Sequence, residues 1–134
     1  MSILKQHGLS FTSEEKDAVL PVIDKIWSLA STSRQQGVLA LERLANHEKN
    51  TFLRLGISLV VDSRSPEAIE EILNNLIWTR PRNNLEILEC IIIMKGILLI
   101  LEGELPEMTE LRLASLLGEE YVMDTDYFKM LGKG

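Results

Sequence analysis

The sequence predicts an all-α fold, a compact single-domain bundle of about five to six helices. Hydrophobic residues make up 46% of the 134 residues and aromatic residues only 5%, so leucine, isoleucine, valine and alanine carry the apolar content. They recur at helical spacing, and proline, glycine and N-cap residues separate the periodic segments. A chain of this length buries enough surface to fold without a disulfide or a metal ion.

The domain organisation that we expect has three parts. Residues 1–11 form a flexible N-terminus, residues 12–118 form the helical domain, and residues 119–134 form a C-terminal tail. The tail mixes aromatic and charged residues, so it either docks as a short helix or stays loose.

The first predicted helix begins at Thr12, which has capping-box spacing with Glu15. Pro21 should kink this helix or reset its start, because proline lacks the N–H that a helix interior needs. Gly37 interrupts the apolar stripe without stopping it. A second helix or a bent continuation should therefore extend as far as the polar segment 46–50.

Two amphipathic helices are predicted in the middle of the chain. Asn50 is a good N-cap for the first, which should end near Asp62. Ser65 followed by Pro66 starts the second, which should end around Trp78.

A long apolar helix is predicted from about residue 84 to residue 102, with Gly103 as its stop. At 100° per residue, Glu86 and Glu89 lie nearly opposite Lys95, so no single polar face runs along this helix. Its two halves should therefore bury different faces. These charges also argue against a membrane span.

The last predicted helix of the domain begins at Pro106 and stops at Gly118. We expect both tryptophans, Trp27 and Trp78, to pack in the core, since each lies at or beside an apolar helical position.

Composition and charge disfavour several classes of function. The formal net charge is −6, and no stretch gathers the basic residues that bind phosphates, so we expect no nucleic-acid partner. The single cysteine, Cys90, lies in an apolar run and should be a buried free thiol. The first ten residues do not resemble a secretion signal. We expect a cytoplasmic protein.

Residues with catalytic or metal-binding chemistry are scarce. The two histidines, His7 and His47, have no cysteine or carboxylate at metal-ligand spacing. Nucleotide-binding, nucleophile-elbow and zinc motifs are missing from the sequence. We therefore expect no catalytic residue, no metal site and no cofactor.

Two segments are more specific than an ordinary amphipathic helix. The first contains Thr32-Ser33-Arg34-Gln35-Gln36-Gly37-Val38-Leu39-Ala40-Leu41-Glu42 and is followed by residues 50–62, which end in Val60-Val61-Asp62. The second runs from Ile91 to Pro106 and contains Gly96-Ile97-Leu98 and Gly103-Glu104-Leu105-Pro106. Together these segments resemble the cytoplasmic part of motility protein A, a subunit of the flagellar stator.

The resemblance implies a particular function. In the family, two transmembrane helices separate the two segments, whereas here residues 80–84 join them directly, so we expect no ion conduction by this chain alone. The family's cytoplasmic part meets the rotor switch protein through charged side chains, and Arg34 and Glu42 match the positions that carry them. On one continuous helix, they would lie about 12 Å apart along its axis and about 80° apart around it.

Three positions depart from the family pattern. Ser63 stands where a glycine commonly follows Val-Val-Asp, Lys95 where a glutamate is common, and Leu105 where an asparagine usually precedes the proline. Together with the lost membrane helices, they suggest a relative that has left torque generation.

The sequence thus predicts a non-catalytic interaction module that uses Arg34 and Glu42 to bind a flagellar rotor or stator component. Ordinary surface charges, or charges that hold neighbouring helices together, are the alternative for these two residues. A second hypothesis is a self-associating structural or regulatory protein with no motility role, in which a homo-oligomer would cover the apolar helix.

Overall fold

The computed structural model describes residues 10–132, and in that range the chain forms α-helices, tight turns and no β-strand. The helices are α1 (Ser13–Ala18), α2 (Leu20–Gln36), α3 (Leu41–His47), α4 (Thr51–Val61), α5 (Pro66–Trp78), α6 (Asn84–Glu102), α7 (Pro106–Ala114), α8 (Glu119–Met123) and α9 (Asp126–Leu131). A 3₁₀ turn, Val38–Ala40, lies between α2 and α3. The predicted all-α class is confirmed.

More helices form than the predicted five to six. The additional breaks are near Pro21 and at Gly37, and the tail adds two short helices. Thr12 and Glu15 form both hydrogen bonds of a capping box, at 3.1 and 2.9 Å. Pro21 lies at the start of α2, which Val19 separates from α1. Proline therefore resets the helix start, as expected of a residue that fits only the first turn.

Helix α6 is the centre of the bundle and contacts α1, α2, α4, α5 and α7. Four consecutive residues in its middle, Ile91–Met94, are all buried. Consecutive helical residues point 100° apart, so neighbouring helices surround α6 on every side. Other helices of the same chain thus supply the burial that this helix needs.

Two glycines allow helices to cross α6 at close range. A Cβ atom added to Gly96 of α6 would lie 2.7 Å from the Cγ2 atom of Ile26 on α2. A Cβ atom on Gly56 of α4 would lie 2.8 Å from the Cγ1 atom of Ile97 on α6. The core thus depends on contact between glycine backbone and isoleucine side chains.

The prediction that the last helix of the domain continues to Gly118 is wrong, because α7 ends at Ala114. After that residue, Leu116 and Leu117 donate backbone hydrogen bonds three residues back, to Leu113 and Ala114. Tight turns of this kind replace the α-helical pattern before the glycine is reached.

Residues 119–132 form the short helices α8 and α9, and Tyr121 lies in the hydrophobic core. The Tyr121 hydroxyl donates a 2.8 Å hydrogen bond to Asp17 of α1, and this bond raises the pKa of Tyr121 to about 12. Phe11 also packs against the core. Residues 1–9 of the predicted flexible segment, with His7, lie outside the described residues.

The prediction that both tryptophans pack in the core is wrong for Trp27, whose residue is 36% exposed. Trp78 packs partly buried against the core. On α2 the buried face is formed by Ile23, Ile26 and Ala30, and Trp27 lies beside that face.

From residue 10 to residue 132, no helix combines the length and the apolar character needed to cross a bilayer.

Candidate functional site

Arg34 and Glu42 lie on different helices, so the second helix that the sequence allowed forms, and the separation calculated for one continuous helix does not apply. Arg34 is in the last turn of α2, and Glu42 is in the first turn of α3. Gly37 between them has φ 86° and ψ 161°, a backbone conformation that is nearly restricted to glycine. The chain therefore turns at Gly37 and restarts through the 3₁₀ segment.

We call the segment from Arg34 to Glu42 the turn surface. Its centre is Leu39, which is 70% exposed and lies on the 3₁₀ turn between the two charged residues. Leu39 is the most exposed of the large hydrophobic side chains in residues 10–132. Leu41, two residues later, is fully buried, so the turn fixes the backbone while leaving Leu39 in solvent.

Arg34 ties the turn surface to the end of the central helix. Its Nη1 atom donates a 2.9 Å hydrogen bond to the carbonyl oxygen of Gly103, the residue that follows α6. The carbonyl groups at a helix end lack partners within the helix, so this bond satisfies one of them. Arg34 thus holds two helix ends together, and its side chain remains exposed.

Glu42 has no comparable partner. It is exposed and forms neither a hydrogen bond nor an ion pair with any residue in the part of the chain that the structure describes. Its place in the first turn of α3 is favourable, since a helix N-terminus attracts negative charge. Its carboxylate is therefore open to a ligand.

The other charges beside Gly103 are engaged with each other. Arg112 of α7 lies 2.9 Å from Glu104 and 3.5 Å from Glu102. The hydrogen bond from Arg112 is the main reason that the pKa of Glu104 is lowered, and the positive charge of Arg34 contributes to that shift. Of the two charged side chains of the turn surface, Glu42 is thus the one without a partner among the described residues, and Leu39 is the exposed apolar side chain beside it.

Sequence reasoning found Arg34 and Glu42 but missed Leu39. The only available signal was its position, because Leu39 lies off the apolar stripe that contains Val38 and Leu41. An apolar residue off a stripe can still be covered by a neighbouring helix, and only the fold shows that none covers it here.

The described residues contain no group of three or more histidine, cysteine or acidic side chains that could hold a metal ion. Cys90 is a buried free thiol, as predicted, and burial raises the pKa of this thiol. A raised pKa disfavours the thiolate, which is the reactive form of cysteine.

The fold and the turn surface describe a small all-α protein that presents an exposed leucine on a 3₁₀ turn and an unpaired carboxylate at the start of the next helix. Comparisons with protein-family models, with curated proteins and with solved structures found no match to this chain. The resemblance to motility protein A therefore stays a prediction.

Proposed function

We propose that this chain is a non-catalytic interaction module that docks onto a protein partner through the turn surface. The partner that its resemblance to motility protein A favours is a flagellar rotor switch protein or a stator component, met in the cytoplasm. Docking makes and breaks no covalent bond.

The observation that carries the proposal is the exposure of Leu39. Burying a leucine side chain fully stabilises an interface by about 1.5–3 kcal/mol, and 70% of this residue is available to a partner. Leu39 also lies on a hydrogen-bonded 3₁₀ turn, so its backbone is already ordered before a partner binds. Such an anchor favours a partner that offers an apolar pocket.

The charges around Leu39 fit the same role. Glu42 is free to pair with a basic residue of the partner, and such rim charges mainly set the rate and the selectivity of encounter. Arg34 already donates to Gly103, but a guanidinium has five N–H donors, so others remain for an acidic group. The turn surface thus offers both signs of charge beside one apolar residue.

The test is a pull-down with purified flagellar rotor switch protein. We expect Leu39→Ser and Glu42→Lys each to lower the captured amount at least tenfold. Glu67→Lys is the matched control, because Glu67 is also an exposed acid in the first turn of a helix, α5. If wild type and the Arg34→Glu, Glu42→Lys double variant are captured equally, the turn surface is not the binding site.

Self-association is the second candidate function. The sequence suggested it because the apolar helix needed to be covered, but helices of the same chain already cover α6. A different observation favours it. The short helices α8 and α9 expose several large apolar side chains, namely Met123, Tyr127, Phe128, Met130 and Leu131. Exposed apolar side chains that are close together often mark an interface between subunits.

Sedimentation velocity at micromolar concentration separates the two candidates. Self-association through α9 requires a dimer in the wild type and a monomer in the Met130→Ser, Leu131→Ser double variant. A wild-type chain that sediments only as a monomer removes this candidate and leaves docking through the turn surface unaffected.

A further inference from the structure

A second site lies on a different part of the molecule, beside the first half of α6. There the start of α4, the end of α5 and the segment before α6 enclose a cleft of about 570 Å³. Cavities that bind small molecules usually measure about 300–1,000 Å³. We call this cavity the α6 cleft; it shares no residue with the turn surface.

Part of the wall of the α6 cleft is apolar, and Asn50, Thr51 and Thr79 are among the polar residues that complete it. Phe52 and Leu55 of α4, Leu76 of α5 and Cys90 of α6 line it. Phe52 and Cys90 are buried, whereas Leu76 is 37% exposed at the end of α5. A ligand with an apolar stem would therefore find both a floor and an accessible edge.

Arg82, which also lines the cleft, is used by the protein itself. Its Nε atom donates to the carbonyl oxygen of Ile77 at 3.2 Å, and its Nη2 atom donates to that of Leu76 at 3.4 Å. Its guanidinium carbon lies 5.9 Å from the centroid of the Phe52 ring. Arg82 thus satisfies the C-terminal carbonyl groups of α5 and covers an aromatic ring.

Arg80 and Glu86 also have partners. The Nη1 atom of Arg80 lies 3.5 Å from the Oε2 atom of Glu86 and 3.2 Å from the carbonyl oxygen of Pro81. The Oε1 atom of Glu86 accepts the backbone N–H of Asn83 at 3.3 Å in the capping box of α6. Three of the four charged side chains that line the cleft are therefore engaged with other groups of the chain, and one remains.

That side chain is Glu89, which has no hydrogen bond or ion pair with residues 10–132. It is half-buried at the wall of the cleft. Burial, and then the neighbouring negative charge of Glu86, raise its pKa. A half-buried carboxylate is costly unless a positive group pairs with it.

We propose that the α6 cleft binds a small organic cation, with an ammonium or guanidinium group at Glu89 and an apolar stem against Phe52, Leu55 and Leu76. Arg80 and Arg82 are engaged elsewhere in the cleft, so the ligand supplies the counter-charge that Glu89 lacks among the described residues. Its stem fills the apolar volume that the helices leave open. This site is independent of the proposed docking function.

The experiment is an NMR titration of the ¹⁵N-labelled full chain at pH 7 with phenethylammonium and with 2-phenylethanol. The two probes share the aromatic stem and differ in charge. We expect amide shifts at the residues that line the cleft, and an affinity for the amine at least tenfold higher than for the alcohol.

Two variants identify the groups that bind. Glu89→Gln keeps the size of the side chain and should reduce the affinity for the amine to that for the alcohol. Leu76 lies at an accessible edge of the cleft, so Leu76→Ser should weaken the binding of both probes. Glu71→Gln, an exposed acid on α5 that does not line the cleft, is the control and should change neither affinity.

The proposal is overturned if both probes bind wild type equally, if neither shows saturable shifts at the cleft, or if Glu89→Gln binds the amine as tightly as wild type. The dispersion of each variant's NMR spectrum reports its fold in the same samples. If Glu89→Gln is unfolded, raising the salt concentration on wild type provides the second measurement. Salt should then weaken the binding of the amine and leave the binding of the alcohol unchanged.

Discussion

Helices α4 and α6 end in the same way but with different residues. A residue with a positive φ lies just past each helix: Ser63 (56°) follows the C-cap residue Asp62 of α4, and Gly103 (81°) directly follows α6. The N–H groups of Ser63 and Arg64 donate to carbonyl oxygens of the last turn of α4 at 2.9 and 3.1 Å. Those of Gly103 and Glu104 donate to the last turn of α6 at 3.0 Å each. This pattern is the Schellman motif, in which glycine is the favoured residue.

The comparison separates hydrogen bonding from conformational cost. Ser63 forms the same two hydrogen bonds as Gly103, although a side chain in the left-handed region costs about 1–2 kcal/mol. The packing of α4 in the core must therefore offset a cost that α6 avoids. Gly96, inside α6, adds a contrasting case, because it is needed for space and not for its backbone angles.

The largest effect is expected for Gly96→Ala. Its new Cβ atom would lie 2.7 Å from Ile26, which is fully buried and cannot move aside freely. We expect a loss of about 1–3 kcal/mol in the free energy of unfolding, measured with denaturant. Gly132→Ala is the control, because its nearest neighbour is a backbone oxygen at 3.9 Å. Equal stability of these two variants would show that the crossing of α2 and α6 is looser than described.

A smaller loss, about 1–2 kcal/mol, is expected for Gly103→Ala. Nothing lies within 4 Å of the added Cβ atom, so only the left-handed backbone opposes the change. Gly103→Asn should lose less than Gly103→Ala, since asparagine tolerates this conformation better. Equal losses for alanine and asparagine would point to a steric cause. Denaturant unfolding of both variants measures the difference.

Several helix ends of this fold could be predicted from sequence because capping is local chemistry. The side chains of Asn50 and Ser65 accept N-terminal N–H groups as expected, at 3.0 and 3.1 Å. Gly103 ends α6 as expected. Each of these interactions joins residues a few positions apart, so spacing alone is enough to find it.

The candidate sites were harder to predict because they depend on contacts across the chain. Arg34 and its acceptor Gly103 are 69 residues apart, and no spacing rule connects them. Periodicity indicates which face of a helix is buried, but not how far its neighbours cover the flanks, so Leu39 and Trp27 were missed as exposed residues. Similarly, the sequence placed Glu89 on a polar side but could not show that it lacks a counter-ion.

Ser63→Gly makes the end of α4 resemble the end of α6. Unlike the two glycine substitutions above, it should raise the free energy of unfolding. Glycine removes the cost of a side chain in the left-handed region but adds freedom to the unfolded chain, so the net gain should be about 0.5–1 kcal/mol. Ser58→Gly, inside α4, is the control and should destabilise instead, since its backbone is helical. If Ser63→Gly is also less stable than wild type, serine makes a favourable interaction that offsets its backbone strain. Thermal or denaturant unfolding decides the sign.

The smallest effect is expected for Arg34→Met, which removes the one side-chain hydrogen bond to Gly103 and keeps the length of the side chain. Because the bond is exposed, water can replace the guanidinium, and the loss in the free energy of unfolding should be no more than about 1 kcal/mol. Glu42→Gln, which breaks no contact with a described residue, should not change stability measurably. A loss well above 1 kcal/mol for Arg34→Met would mean that this bond is needed to hold the end of α6. If the loss in the free energy of unfolding is small, nearly all of the variant is still folded. A tenfold drop in partner capture by Arg34→Met would then have to come from the missing guanidinium at the interface.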